Sequence, residues 1–351
     1  TLISSELGID GAQVRATAAL LDEGATIPFI SRYRKEATGS LDEVAVLAIR
    51  DRLEQLQELD KRRQAILKSL DERELLTPDL KTQVGQAETM ARLEDIYLPF
   101  RPKRRTRATM AREKGLEPLA LWLLETAAAP ANQGADRDPD EKAAAFVDPE
   151  KEGTDAGEER AGARDIVAEI VSENADCRAA LRQMYIDQGQ ITSKVLRGKE
   201  SEGAKFRDYF DWSEPVRNAA GHRILAMRRG EKEKILSMRV APPEEPAITL
   251  LLRTYVNNRT RAAAEVTNAI NDSYRRLLSL AMETEIRLEL KKFADEEAIG
   301  VFAENLRELL LAAPLGQRRV LALDPGFRTG CKLVVLDAKG DLVHHDTVYP
   351  H

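Results

Sequence analysis

Cysteine is nearly absent. Cys177 and Cys331 are the only two, far apart in the chain, which excludes a disulfide framework and points to a reducing compartment, the cytoplasm. Aromatic residues make up only 5%. No apolar run approaches the ~20 residues that span a bilayer, so no membrane segment is expected. The first ten residues lack the basic start and apolar core of a secretory signal. No internal repeat and no sustained heptad occurs. What remains is a chain of 351 residues, 43% apolar and 32% charged, rich in the helix formers Leu, Ala, Arg and Glu. That length favours two or three domains. The formal charge is −6, so any contact with DNA or RNA needs a local basic patch.

The spacing of Val14, Thr17, Ala18 and Leu21 predicts a helix closed by Gly24. Pro28 is then expected to stop helix formation through 26–36. Ser40-Leu41-Asp42-Glu43 has the form of a capping box. From Val46 an amphipathic pattern runs through Ile49, Leu53, Leu56, Leu59, Leu67 and Leu70 to about Glu74. Thr77-Pro78 opens the next helix. A helix over 119–128 precedes an Ala-, Pro-, Gly- and Asp-rich segment, 129–157, read in part as a surface loop. Helices are expected over 158–172 and 176–188. Two alternating stretches, 190–196 and 235–240, are predicted as strands that pair. Residues 259–311 are again helical, with a break expected near Ala294.

The last 34 residues change character. Arg319-Val-Leu-Ala-Leu323, Lys332-Leu-Val-Val-Leu336 and 342–348 are predicted as three successive strands. Asp324 stands at the end of the first, as in the opening of an RNase H-like domain. There a carboxylate on that strand helps hold metal ions that activate water. One carboxylate cannot hold two metals, so no catalytic or metal site and no cofactor is expected within 1–351. Such a domain needs roughly 100 residues to bury its core, and Thr1 is not a Met, so the chain is expected to be part of a longer protein. Gly326-Phe-Arg-Thr-Gly330-Cys-Lys332 has one residue too few between its glycines for a phosphate loop, and a strand follows it. An NTPase is rejected. His344 and His345 are adjacent in a strand and face opposite sides, which argues against a shared zinc site.

Two basic clusters stand out. Arg101, Lys103, Arg104, Arg105, Arg107, Arg112 and Lys114 fall within fourteen residues that hold one acid, Glu113. Arginines at that density can bridge phosphates. The alternative is a basic face docked on acidic helices of the same chain. Tyr97 and Phe100 beside it are expected to pack, as are Tyr209, Phe210 and Trp212. The second cluster, Arg32, Arg34 and Lys35, lies in a segment where Ile27, Phe29 and Ile30 read as buried anchors of a structural tie.

Four segments resemble the Tex family of bacterial transcription accessory proteins. They are Ile27-Pro28-Phe29-Ile30-Ser31-Arg32-Tyr33-Arg34-Lys35-Glu36 with its sequel to Asp42, Arg92-Leu93-Glu94-Asp95-Ile96-Tyr97-Leu98-Pro99-Phe100 continuing into Lys103-Arg104-Arg105-Thr106, Gly198-Lys199-Glu200 with its sequel to Phe210, and Leu323-Asp324-Pro325-Gly326-Phe327-Arg328-Thr329-Gly330-Cys331-Lys332. The resemblance implies a helical N-terminal region with a helix-turn-helix part, then a YqgF-type RNase H-like domain, with helix-hairpin-helix and S1 domains beyond. The expected fold is therefore mainly α, in three parts: a helical region over 1–190, a second mainly helical region with a short β element over 191–317, and the first strands of the α/β YqgF-like domain over 318–351. In such a protein Asp324 is a vestigial acidic position. The function expected is a monomeric, non-enzymatic scaffold that binds RNA or DNA and works with the transcription machinery or the ribosome. A nuclease or resolvase, or a purely structural helical adaptor, are the alternatives.

Overall fold

A computed structural model describes residues 2–130, 138–147, 155–326 and 330–349. Two sequence readings fall partly outside them: the surface loop within 129–157, and Phe327, Arg328 and Thr329 of the Asp-Pro-Gly motif. The described residues form sixteen α-helices and two three-stranded sheets, a mainly α architecture. They divide into two compact units, Thr1–Ala219 with Ala226–Glu289, and Ala220–Leu225 with Leu290–His351.

The first unit opens with α1 (Leu2–Leu7), α2 (Gly11–Asp22), α3 (Ile27–Tyr33), α4 (Lys35–Thr38) and α5 (Glu43–Asp71). Pro28 does not stop a helix here. It sits in the first turn of α3, where its missing N–H would have no intrahelical partner anyway. The expected capping box also gives way. Ser40 has φ of 64° and cannot cap, and the Asp42 carboxylate instead accepts from the Ala45 amide at 2.8 Å. Gly39, at φ of 65°, ends α4 in the left-handed region that favours glycine. Gln13 Nε2 donates to the carbonyls of Thr38 at 2.9 Å and Gly39 at 3.1 Å, so α4 is fastened to α2.

The 29 residues of α5 serve two cores. Ile49 packs with Ile3 and Val14, while Leu59, Ile66 and Leu70 pack with α6 (Pro78–Gln86) and α7 (Met90–Tyr97). Thr77 caps α6 as expected, accepting from the Leu80 amide at 3.2 Å. A 3-10 turn, Leu98–Phe100, leads on to α8 (Arg107–Glu113) and α9 (Glu117–Ala128), then to α10 (Pro139–Ala144), α11 (Ala156–Glu173) and α12 (Ala175–Gln188). Helix α11 is buried along much of its length, through Ala163, Ile166, Val167, Ala168 and Val171.

Strand β1 (Gln190–Val195) lies between β2 (Asp211–Pro215) and β3 (Leu236–Ala241), antiparallel to both, with Gln190 opposite Ala241. The expected pairing of the two alternating stretches is present, and β2 adds an edge that the sequence reading missed. Phe206, Ile235 and Leu236 make a small core against which half-buried Tyr209 and Phe210 pack. Between β2 and β3 lies α13 (Gly221–Lys232), and α14 (Glu244–Tyr255) and α15 (Arg261–Asp272) follow. A π-helical turn, Ser273–Leu278, joins α15 to α16 (Ser279–Leu310), which runs through Ala294 without the expected break. Ala294 is instead a close-approach point: a Cβ on Gly221 would lie 3.1 Å from its Cα, and the Gly221 amide donates to Glu297 Oε2 at 2.8 Å. Small residues here serve packing rather than punctuation.

The second unit ends in β4 (Val320–Gly326), β5 (Gly330–Leu336) and β6 (Leu342–Val348), an antiparallel sheet with β5 central. All three predicted strands are present.

Candidate nucleic-acid interface

The basic stretch 101–114 leaves the 3-10 turn, runs extended, and enters α8 at Arg107. Thr106 caps that helix, its hydroxyl accepting from the Thr109 amide at 3.0 Å. This local geometry sends the seven cations in different directions. Glu169 of α11, only 8% exposed, accepts from Lys103 Nζ at 3.1 Å, Arg112 Nη1 at 2.5 Å and Thr106 Oγ1 at 3.1 Å. Glu173, one turn on, takes Lys103 Nζ at 2.7 Å. Lys103, in the extended stretch before α8, and Arg112, within α8, therefore fasten this segment to α11.

The electrostatics follow from that burial. Desolvation alone would raise the Glu169 carboxyl, but hydrogen bonds from Arg112 and Lys103 outweigh it and hold the group below its ordinary value. At Glu173 the balance reverses: burial dominates the Lys103 contact and the carboxyl is pushed up. Burial would lower the Arg112 guanidinium, yet its bonds to Glu169 and Glu117 raise it. Arg101 pairs with Glu94 and lies over the Tyr97 ring, 5.9 Å from its centroid. Tyr97 is buried and Phe100 packs beside it, so neither ring is presented for stacking.

Three cations face elsewhere. Arg104 is exposed and makes no ion pair with a described residue. Arg105, with 71% of its side chain exposed, meets exposed Glu113 of α8 at 3.1 Å. Arg107 lines a cleft of about 310 Å³ together with Arg164, Asp165, Asn268 and Asp272. Lys114 is half-buried at the end of α8.

The second basic cluster differs from its sequence reading. Ile30 is fully buried and Ile27 half-buried, but Phe29 is 39% exposed and Tyr33 71% exposed. The helical turn brings residues 29 and 33, four apart, together, while Ile30 lies about 100° round the helix from Phe29. Arg32 reaches Glu43 at 3.2 Å with both groups in solvent.

A buried ionic cluster had gone unnoticed. Asp95 of α7 is nearly inaccessible and accepts from Arg182 at 2.7 Å and from Arg178, both on α12, and Arg182 also pairs with Glu285 of α16. Only half of the signal was present: arginines four apart, Arg178 and Arg182, beside Leu181, whereas Asp95 falls off the Leu93 and Ile96 face of α7.

Three family models match this chain. Residues 1–71 match the Tex-like protein N-terminal domain, 135–302 the Tex central region-like model, and 318–351 the Tex protein YqgF-like domain. The chain belongs to the Tex family. Protein tex of Bordetella pertussis is 44% identical over 99% of this chain and 45% of its own length. Transcriptional accessory protein Tex of Neisseria gonorrhoeae is 40% identical over all of this chain and 46% of its own. Human S1 RNA-binding domain-containing protein 1 is 28% identical over 95% of this chain and 34% of its own length. The chain spans about half the length of the bacterial relatives it matches.

Within this Tex-family chain the basic stretch 101–114 falls between the first two matched segments, and the α3–α4 face lies inside the first. In the YqgF-like segment Asp324 is exposed on β4 opposite Lys332 of β5. His344 and His345 are exposed on β6, opposite Val335 and Val334. Among the described residues no group of three or more His, Cys, Asp or Glu is placed to hold a metal ion. Nor is any described helix long and apolar enough to cross a membrane.

Proposed function

We propose that this chain is a nucleic-acid-binding part of a transcription accessory scaffold and that its contact with RNA or DNA is made by Arg104, Arg105 and Arg107. The reading draws on the names of its relatives, which speak of transcription and of an S1 RNA-binding domain. It rests most on one observation: the basic stretch is divided, with Lys103 and Arg112 committed to α11 while Arg104 has no carboxylate partner among the described residues and Arg105 has only a solvent-exposed one. An exposed ion pair is worth only ~0–1 kcal/mol, so a phosphate can displace Glu113. Arginine then gives two parallel N–H donors to each phosphate. Nothing in the stretch is arranged to read base edges, so binding is sequence-independent.

The inward pairs favour a second role for the same stretch, a structural tie, held by different residues. The test separates them. With about three phosphate contacts on a single strand, log K falls with log salt at a slope of about −2. Replacing Arg104, Arg105 and Arg107 together by Ser flattens that slope and leaves the urea midpoint unchanged. If the slope stays the same, the stretch is structural throughout.

A further inference from the structure

We propose that the exposed Phe29–Tyr33 pair on α3, with Arg32, Arg34 and Lys35 around it, is a stacking platform for single-stranded nucleic acid. The site is separate from the basic stretch and does not depend on it. The two rings lie 5.7 Å apart, tilted by 41°, and the Arg34 guanidinium sits 5.1 Å from the Phe29 centroid. Arg34 thereby extends the aromatic surface with a flat cation, on which a base stacks as readily as on a ring. Tyr33 is the most exposed aromatic side chain of the segment.

The platform is rigid. Fully buried Ile30 and buried Ser31 anchor α3, the Ser31 hydroxyl donates to the Ile27 carbonyl at 3.0 Å, and the Gln13 bonds to Thr38 and Gly39 hold α4 in place. A preformed surface loses little conformational entropy on binding. The charge complements a polyanion: residues 26–40 carry Arg32, Arg34 and Lys35 against the single acid Glu36. Arg34 and Lys35 make no ion pair with a described residue. The Arg32–Glu43 pair is open to solvent, so a phosphate competes for Arg32 at little cost. Aromatic rings beside cations that track a backbone are the combination that binds single strands, because every base has a π-face. A duplex, whose bases are already stacked on each other, cannot use the rings.

The experiment is anisotropy titration of a fluorescein-labelled twelve-residue oligothymidylate, and of a duplex of equal length, with the whole chain. Tyr33 is exposed enough that its replacement leaves the fold intact. Tyr33→Ala is expected to weaken single-strand binding about tenfold, the scale of one lost base stack, and to change duplex binding less than twofold. Tyr33→Trp keeps the affinity, and its added emission is quenched by the bound strand. The same tenfold loss is expected when Tyr33→Ala is made in the Arg104, Arg105, Arg107→Ser background. Single-strand binding by Tyr33→Ala within twofold of wild type overturns the platform, whatever the salt slope shows about the basic stretch. So does an equal loss on duplex. A labelled Glu-rich peptide that binds with Tyr33 dependence when the oligonucleotide does not would assign the face to a protein partner, and overturns it as well.

Discussion

The stretch 101–114 and the face of α3–α4 are both arginine-rich with a single acid in their own segment, Glu113 and Glu36, yet folding treats them oppositely. At 101–114 a distant helix supplies Glu169 and Glu173, which neutralise the cations pointing inward. At α3–α4 the one acid that arrives is Glu43, in solvent, and the surface keeps its charge along with two exposed rings. Local composition sets how much positive charge a segment carries. The carboxylates brought by the rest of the fold decide how much of it is left for a ligand.

The contrast within α3 should give the largest effect. Ile30→Ala opens a cavity beneath the platform and should cost about 3 kcal/mol, seen as a clear fall in the urea midpoint. Phe29→Ala removes a ring that is already part-exposed and should cost about 1 kcal/mol. Equal losses would mean that Phe29 is the anchor the sequence suggested, and the distinction between its two faces would collapse.

That anchor reading shows where sequence patterns run out. Pro28 reads as a stop because proline breaks helix interiors, but the same residue suits a first turn, and only the location of Thr26 at the cap decides between them. Once the segment is helical, residues 29 and 30 fall on different faces. In 40–43 two cap-type residues compete, and the positive φ at Ser40 settles the choice for Asp42. Patterns that are local and long enough survived: Thr77-Pro78, the α5 stripe, the β1–β3 pairing and the three C-terminal strands. The division of the basic stretch was not legible, because Glu169 is 66 residues from Lys103 and nothing local singles out which acidic helix the cations meet. Strand β2 is short and ends in proline, which masks its alternation.

Glu169→Ala tests that division from the acidic side, with a smaller effect on stability. Removing a nearly buried carboxylate leaves Lys103 with Glu173 alone and Arg112 with Glu117 alone. Both are partly solvated, so the loss should be about 2 kcal/mol, below the range for a fully buried pair. The released cations become available to a ligand. At about −0.7 per added phosphate contact, two added contacts should steepen the single-strand salt slope from about −2 to about −3.5. An unchanged midpoint would show that the α8–α11 tie has no energetic weight.

The smallest effect lies in the pH dependence of the same tie. Glu169 titrates below its ordinary value of 4.5 in the folded chain, because the hydrogen bonds from Arg112 and Lys103 outweigh its burial. In acid the unfolded chain takes up this proton first. The stabilisation is therefore complete above the unfolded pKa and is lost as pH falls through the depressed folded one. Glu173 has the opposite sign: burial raises its pKa, so its ionisation costs the folded state stability as pH climbs through the interval from 4.5 to the raised value. Glu169→Gln should thus be less stable than wild type at neutral pH, by on the order of 1 kcal/mol, and the difference should close below 4.5. Glu173→Gln should match wild type in acid and equal or exceed it at neutral pH. Urea midpoints for both variants across that range provide the measurement. A constant gap between Glu169→Gln and wild type would mean that the two cations do not recognise the charge on Glu169, and that packing alone joins α8 to α11.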